Sequence, residues 1–398
     1  MSAFLGKSGL KLKRFIVDIV VEPLIPLRRL ESYLVFLARL VFRVRKPFVI
    51  GITGSVGKST TTAMVAAVLS HRDAERIVGA VGHTSDNMND DVGLAATLLR
   101  FESFYVVPWP YPRRLAMLFL TPFRALRVIV GPYPKVMVLE FGVGSTANFD
   151  RMVTIAPPDV AVVTRIGAAH LEIMKTVEAL VQEKGALVRA VPPSGLVILG
   201  QDHDYVSQLE QMARAPVIKV SGQGVELSQN IARAVCRHMG IPEEVVGSAL
   251  SDFKSPKGRL NRLEFASMMV IDDSYNANPL SMKLALDTLA ETDRLEHRRL
   301  AVLGFMAELG EEGPRYHEEV GAYARSRADV LIGVGDLSKH YHPNFWFDTS
   351  DSCAAHIESL LRYGDCLLVK GSFSARMERV VIKLCEIAEK RQGVPSQA

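Results

Sequence analysis

A glycine-rich loop with phosphate-binding character lies between an apolar run and a helical run. Residues Gly51–Ser59 read Gly-Ile-Thr-Gly-Ser-Val-Gly-Lys-Ser. The spacing predicts a buried strand over Phe48–Thr53 and a helix over Thr60–Leu69. Backbone N–H groups of such a loop, with the N-terminus of the following helix, bind phosphates. The segment therefore predicts a nucleotide site.

The lysine and serine at the end of this loop have separate expected roles. Lys58 is placed to reach the β- and γ-phosphates, and the Ser59 hydroxyl to bind Mg²⁺. The strict G-x-x-x-x-G-K-[ST] pattern is missed, because its first position falls on Ile52. The nucleotide-binding residues predicted for the loop and helix start are Gly54, Ser55, Gly57, Lys58, Ser59 and Thr60.

Two further polar residues follow predicted strands. Glu140 comes directly after the apolar run Val136–Leu139, and His170 follows the run Val160–Val163. Ligands of α/β proteins bind at the carboxyl ends of parallel strands, which favours a functional role for both residues. A structural role for His170 is the alternative.

The altered spacing of the glycine loop resembles that of the Mur ligases, a family of ATP-dependent amide ligases. Eight other segments resemble the same family, and together the segments are most similar to its MurF branch. The likeness runs in order over residues 48–390 and is most specific at Asp272–Pro279 (Asp-Asp-Ser-Tyr-Asn-Ala-Asn-Pro). The other segments are Asn87–Gly93, Val138–Gly142, Ala168–Glu172, Glu183–Gly185, Lys257–Arg259, Met306–Gly310 and Val369–Ser372.

The resemblance implies a catalytic set of Lys58, Glu140, His170 and Lys184. It implies one Mg²⁺ on Ser59 and Glu140, and a second near His170 and a carbamylated Lys184. Oxygen ligands suit Mg²⁺, and carbamylation by CO₂ turns a lysine ammonium into an anionic oxygen ligand. Taken without the resemblance, Lys184 reads as an ordinary surface lysine.

The resemblance also implies the nucleotide and substrate contacts. Asn230 is expected at the adenine, with a polar residue at a helix start as the alternative, and Arg259 and Asp273 at ribose and phosphates. Lys370 and Ser372 are expected near the incoming amine, with a strand-end turn as the alternative. Glu308 is left open between a site residue and a solvated turn. The full predicted substrate set is Asn87, Asn89, Asp90, Tyr275, Asn276, Asn278, Lys370 and Ser372.

Apolar runs that alternate with helices predict an α/β fold in several parts. We expect a P-loop-type central domain with a mainly parallel sheet over residues 47–260, containing an insertion at 101–135. A Rossmann-like C-terminal domain is expected over 261–398, since a Pro/Gly-containing linker lies near residue 260. Residues 1–46 are expected to form a basic amphipathic helical arm.

Composition limits the function classes. The chain has 398 residues, of which 48% are hydrophobic and 23% charged, typical of a globular protein. The net charge is +4, yet residues 1–46 hold ten Lys/Arg against three Asp/Glu, and residues 101–135 hold five against one. This local excess suits contact with an anionic surface or ligand and argues against a nucleic-acid partner.

Both basic segments leave two interpretations open. In residues 1–46, the apolar residues Leu30, Leu34, Leu37, Val41 and Val44 follow helix spacing. Their face can meet a membrane surface or lipid headgroups, or pack on the protein's own body or on a second subunit. The insertion 101–135 reads as a substrate or membrane loop or as a small subdomain, and its prolines argue against a regular helix at its start.

Four scattered cysteines and the lack of a long apolar run or cleavage site predict a cytoplasmic protein, with peripheral membrane contact open.

Three positions depart from the family pattern: Arg165 replaces the usual Asn, Phe305 the usual Asp, and Phe373 a usual polar residue. The 46 residues before the first core strand are too few for the family's uridine-binding domain.

We therefore predict an ADP-forming ligase that makes an acyl phosphate and joins it to an amino acid or dipeptide, as in the MurF cell-wall step. The expected partners are these amines and a small-molecule or glycopeptide acceptor; the oligomeric state is left open. One alternative is a ligase acting on a different, lipid-linked or membrane-surface carboxylate. The other is a nucleotide-binding scaffold without catalysis.

Overall fold

The computed structural model describes residues 27–85, 88–101, 111–144, 148–201, 203–292 and 298–392. Two six-stranded sheets organise this part of the chain. The predicted α/β class is confirmed.

The first sheet is parallel throughout, in the order β2-β3-β1-β4-β5-β6. Its strands are β1 Phe48–Thr53, β2 Val81–His83, β3 Val136–Glu140, β4 Val160–Val163, β5 Leu196–Gly200 and β6 Val217–Val220. Every residue of β3, β4 and β5 is buried, as expected when helices cover both faces of a parallel sheet.

Helices pack on the two faces of this sheet and form two apolar cores, because successive strand side chains point to opposite faces. Val49 contributes to one core, and its neighbours Ile50 and Ile52 to the other. The helices are α1 Leu27–Arg45, α2 Lys58–Leu69, α3 Arg72–Val78, α4 Asp91–Leu98, α5 Tyr111–Val130, α6 Phe149–Ile155, α7 Leu171–Met174, α8 Val177–Ala190, α9 Val206–Met212, α10 Gly224–His238 and α11 Glu243–Ser251.

The second sheet has the order β11-β10-β9-β12-β8-β7, and among its described strands only β7 runs antiparallel. Its strands are β7 Asn261–Phe265, β8 Met268–Asp273, β9 Arg299–Gly304, β10 Val330–Val334, β11 Phe345–Phe347 and β12 Asp365–Lys370. The α-helices around it are α12 Pro279–Ala290, α13 Gly313–Arg325, α14 Ser350–His356 and α15 Glu378–Gln392.

Helix α1 packs against the protein's own body. Leu30, Leu34, Leu37 and Val41 are buried, and the helix contacts α4 and α5. These contacts confirm the interpretation that this face of α1 packs on the protein's own body. Val44, predicted on the same face, is instead 53% exposed. Residues 1–26 of the predicted arm lie outside the described residues.

Helix α5 occupies Tyr111–Val130 of the insertion and leaves the prediction for the start of the insertion untested. A regular helix begins at Tyr111, since Pro112 lies in its first turn, where no intrahelical N–H bond is needed. The helix also continues through Pro122. The prolines at 108 and 110 lie outside the described residues. Within those residues, no helix is long and apolar enough to cross a bilayer.

Candidate active site

A cleft of about 280 Å³ lies between the carboxyl edge of the first sheet and the loops of the second. Because β1, β3 and β4 are parallel, the residues after them meet at this edge. Fourteen predicted site residues line the cleft: Ser55, Gly57, Lys58, Ser59, Thr60, Asn89, Glu140, His170, Arg259, Asp273, Tyr275, Asn276, Asn278 and Lys370.

The glycine loop turns tightly over β4. Gly54 has a φ of 148°, and a Cβ there would lie 1.9 Å from the Oγ1 of Thr164. That hydroxyl donates to the carbonyl oxygen of Val56 at 2.6 Å, which holds the loop against the end of β4. Gly57 is the left-handed N-cap of α2, with a φ of 84°. The loop N–H groups are thus gathered at a helix N-terminus, as a phosphate site requires.

Lys58 begins α2 and lines the cleft. Burial lowers the pKa of its ammonium, and the nearby Glu140 carboxylate opposes that shift. Arg165 adds a second cation to the cleft wall and donates to the carbonyl oxygen of Gly222 at 3.0 Å. Positive charge on both sides of the loop suits a polyphosphate ligand.

Glu140 ends β3 and is 6% exposed. The Nδ2 of Asn89 donates to its Oε1 at 2.9 Å, which fixes the carboxylate toward the cleft. One carboxylate, one hydroxyl and substrate phosphates are a donor set that Mg²⁺ accepts. Glu140 and Ser59 therefore fit a magnesium ion by the chemistry of their oxygens.

Lys184 lies beneath the glycine loop on α8 and is fully buried, so the interpretation as an ordinary surface lysine is wrong. Its Nζ donates to the Oγ1 of Thr53 at 3.3 Å and lies 5.4 Å from the ring centre of Phe149. Burial, reinforced by the positive charge of Lys58, holds the pKa of this amine well below its ordinary value. The neutral amine therefore forms more readily than in an exposed lysine.

His170 joins the two halves of the cleft. Its Nδ1 lies 2.6 Å from the Oε2 of Glu308, which belongs to the second sheet's loops. Burial lowers the pKa of His170, while the hydrogen bond from His170 lowers the pKa of Glu308. Glu308, left open from the sequence, thus pairs with a predicted site residue.

The second sheet supplies a connected polar group. Lys370, at the end of β12 and 2% exposed, donates through Nζ to the Oδ2 of Asp273 at 2.5 Å and to the carbonyl oxygen of Asn276 at 2.8 Å. The guanidinium of Arg259 lies 4.1 Å from the ring centre of Tyr275. These residues face the glycine loop across the cleft.

Asn278 connects this group to the glycine loop. Its Nδ2 donates to the carbonyl oxygen of Ser55 at 3.0 Å, and its Oδ1 accepts from the N–H of Ser281 at 2.9 Å as the N-cap of α12. One side chain therefore fixes both a helix start and the position of the second sheet's loops against the nucleotide loop.

Two family models match the chain in this arrangement. The Mur ligase middle domain matches residues 52–106 and 125–250, and the Mur ligase glutamate ligase domain matches residues 258–373. The chain belongs to the Mur ligase family.

Relatives of this Mur ligase carry a more specific name. The UDP-N-acetylmuramoyl-tripeptide–D-alanyl-D-alanine ligase of Synechocystis is 27% identical over 376 residues, covering 84% of this chain and 74% of the relative. The ligase of that name from Escherichia coli is 26% identical over 385 residues, covering 85% and 77%. The fold resembles MurF ligase of Thermotoga maritima in complex with ADP, with a TM-score of 0.73, 22% identity, and 91% and 84% covered.

Some predicted residues of this Mur ligase lie away from the cleft wall. Asn230, on α10, donates to the carbonyl oxygen of Ser221, and Asp90 caps α4 by accepting from the N–H of Gly93. Ser372 is buried and accepts from the N–H of Ala307 at 2.7 Å. These are contacts within the protein and leave the predicted ligand roles untested. Asn87 lies outside the described residues.

Thr164 is a cleft residue of this Mur ligase that the sequence patterns did not predict. Thr164 lines the wall and holds the glycine loop through its hydroxyl. It directly follows the strand at Val160–Val163, so its place after a strand was the available signal. A threonine after a strand does not by itself indicate a function. Its role depends on the glycine loop, which packs against its hydroxyl in the folded protein.

We expect Gly54→Ala to abolish nucleotide binding by this Mur ligase, because its Cβ would collide with Thr164 and the loop would have to open. Titration with a fluorescent ATP analogue measures this. Gly247→Ala, whose added Cβ meets nothing within 4 Å on α11, is the matched control and should raise stability by about 0.5–1 kcal/mol. Normal binding by the Gly54 variant would contradict the assigned loop geometry.

We expect Asn278→Ala to lower stability by about 1 kcal/mol through loss of a helix cap and also to lower ligation, because the contact with Ser55 is lost. Thermal denaturation and product formation measure the two effects. Thr349→Ala is the control, since Thr349 caps α14 away from the cleft. It should lose comparable stability and keep activity; equal activities in the two variants would contradict the bridging role.

Proposed function

We propose that this Mur ligase is an ADP-forming peptide ligase that joins the amine of D-alanyl-D-alanine to the peptide carboxylate of UDP-N-acetylmuramoyl-tripeptide. The observation that carries the proposal is the cleft in which the glycine loop and Glu140 face Arg259, Asp273 and Lys370 from the second sheet. The names of the relatives support the choice of substrates. Neither sequence-based alternative is favoured by them.

The chemistry requires two successive substitutions. A carboxylate oxygen of the acceptor attacks the γ-phosphorus of ATP, ADP leaves, and an acyl phosphate forms. The uncharged amine then attacks the acyl carbon, phosphate leaves, and the amine releases a proton. Both steps spread negative charge over phosphoryl oxygens, so cations around the transferred group stabilise them.

The residues of this chain would divide these tasks. The loop N–H groups and Lys58 hold the ATP phosphates, and Arg259 and Asp273 meet the nucleotide from the opposite side. Lys370, held by Asp273, places a buried positive charge where the acceptor and amine would meet. The His170–Glu308 pair would keep the two halves of the cleft together during turnover.

Magnesium would be held by Ser59 and Glu140 and would offset phosphate charge. A second ion would be held near His170 by a carbamate on Lys184. Carbamylation consumes a neutral amine, and the buried position of Lys184 favours that form. Among the described residues no three His, Cys, Asp or Glu form a cluster ready to hold a metal, and a carbamate on Lys184 would add an anionic oxygen donor beside His170 and the Glu308 carboxylate.

A ligation assay read by mass spectrometry tests the function. Purified protein is incubated with ATP, Mg²⁺, bicarbonate, UDP-N-acetylmuramoyl-tripeptide and D-alanyl-D-alanine, with ADP release followed in parallel. We expect the pentapeptide product and one ADP for each product. ATP binding without product from these substrates would overturn the proposed acceptor and amine, whereas no ATP binding by folded protein would overturn the nucleotide site.

A further inference from the structure

The outward face of α5 is apolar, the reverse of an ordinary surface helix. Phe119 is 65% exposed, Phe123 72% and Val130 74%, and Leu120 and Leu126 are exposed with them. These residues recur at three- and four-residue spacing, so they form one row along the helix. The inward side carries smaller buried residues such as Thr121, Ala125 and Val128.

Helix α1 lies beside α5 and has a second such row. Phe36, Leu40 and Val44 are each exposed and four residues apart. The two helices run parallel, because the hydroxyl of Tyr33 donates to the carbonyl oxygen of Leu118 and, twelve residues further along α1, Arg45 donates to that of Ile129. Two apolar rows therefore run along neighbouring helices.

The charge around these rows is positive. Helix α5 contains no Asp or Glu, and Glu31 is the one acidic residue of α1. Exposed Arg43 stands within the α1 row, between Leu40 and Val44. At the end of α5, a pocket of about 330 Å³ is lined by Arg100, Arg124 and Arg127. Arg124 donates to the carbonyl oxygens of Leu99 and Arg100, whereas Arg43 and Arg127 are exposed, and exposed guanidinium groups bind phosphate oxygens.

We propose that α1 and α5 form a docking surface for the headgroup and upper acyl region of an anionic phospholipid bilayer. The apolar rows enter the interface while the flanking arginines meet lipid phosphates, and neither helix spans the membrane. A second copy of the chain fits less well, because a two-fold contact would set each arginine-rich face against the same charges. The proposal is independent of the ligase reaction.

Docking would also fix the orientation of the cleft. Helix α1 packs on α4, whose N-cap Asp90 follows Asn89 in the cleft wall. The docking surface and the acceptor side of the site are thus connected through one helix. A docked molecule would hold that side of the cleft at a set distance from the bilayer.

Vesicle sedimentation of the full chain tests the proposal. Vesicles of phosphatidylcholine with added phosphatidylglycerol are compared with pure phosphatidylcholine, at low and high salt. We expect binding to the anionic vesicles that weakens with salt. The double variant Phe119→Ser/Phe123→Ser should lower the partition coefficient roughly tenfold or more. Arg43→Gln/Arg127→Gln should lower it about fivefold for each arginine.

The controls change exposed residues away from the docking surface: Ile77→Ser/Ile382→Ser for the apolar pair, and Lys390→Gln for charge. All variants are checked for folding by circular dichroism and for unchanged ligation. Absence of binding to anionic vesicles, or equal losses in surface and control variants, would overturn the proposal. A dimer in analytical ultracentrifugation that Phe119→Ser/Phe123→Ser dissociates, without vesicle binding, would assign the face to a second copy instead.

Discussion

Replacing Lys58 with alanine is expected to lower the ligation rate by about 10²–10³-fold or more, the range for removing one preorganised charge from a developing transition state. Lys58 begins α2, lines the cleft and lies near Glu140. Its ammonium would lie beside the transferred phosphoryl group, where water does not make up for the loss of a charge directed at the transition state. Product formation by mass spectrometry and ADP release measure the effect.

The control for this variant is Lys219→Ala. Lys219 is 42% exposed and pairs with Glu210 at 2.7 Å on the surface, so its loss should change stability by about 1 kcal/mol or less and leave ligation intact. Circular dichroism shows whether the Lys58 variant is folded. A folded Lys58→Ala protein with unchanged ligation would remove the glycine loop from the reaction and with it the whole site assignment.

Lys184→Ala and Lys184→Arg are both expected to lower ligation about 100-fold or more, because neither side chain forms a stable carbamate. Arginine adds a positive charge that the carbamate lacks, so activity kept by Lys184→Arg would show that the site needs a cation there and not an oxygen ligand. Short carboxylic acids should partly restore the alanine variant by filling the vacated space. Activity of the unaltered enzyme should fall when CO₂ and bicarbonate are removed.

The lowered pKa of Lys184 predicts the direction in which ligation activity changes with pH. Burial and Lys58 hold the pKa of Lys184 well below 10.5, so the neutral amine persists to lower pH than in an ordinary lysine. Lowering pH through that depressed pKa protonates the amine and removes carbamate, so activity should fall on the acid side and added bicarbonate should oppose the fall. A carbamate resonance is expected with ¹³C-bicarbonate; its absence, with CO₂-independent activity, would contradict the modification.

Much of the first sheet and the nucleotide loop followed from the sequence. The strands at Phe48–Thr53 and Val160–Val163 were predicted with their observed bounds, because buried parallel strands are short apolar runs. The start of a helix was less accurate. Helix α2 begins at Lys58, two residues before the predicted start at Thr60, because Gly57 is its N-cap.

The sequence alone determined which chemistry is present, since the Gly-Lys-Ser loop, Glu140 and the Asp272–Pro279 segment are local patterns that the backbone displays at strand ends. Only the tertiary structure decided what depends on packing between distant segments. It buried Lys184 beneath the loop, paired His170 with Glu308 and joined Asn278 to Ser55. It also turned the apolar rows of α1 and α5 outward, because helix periodicity shows that a face is apolar but not what lies against it.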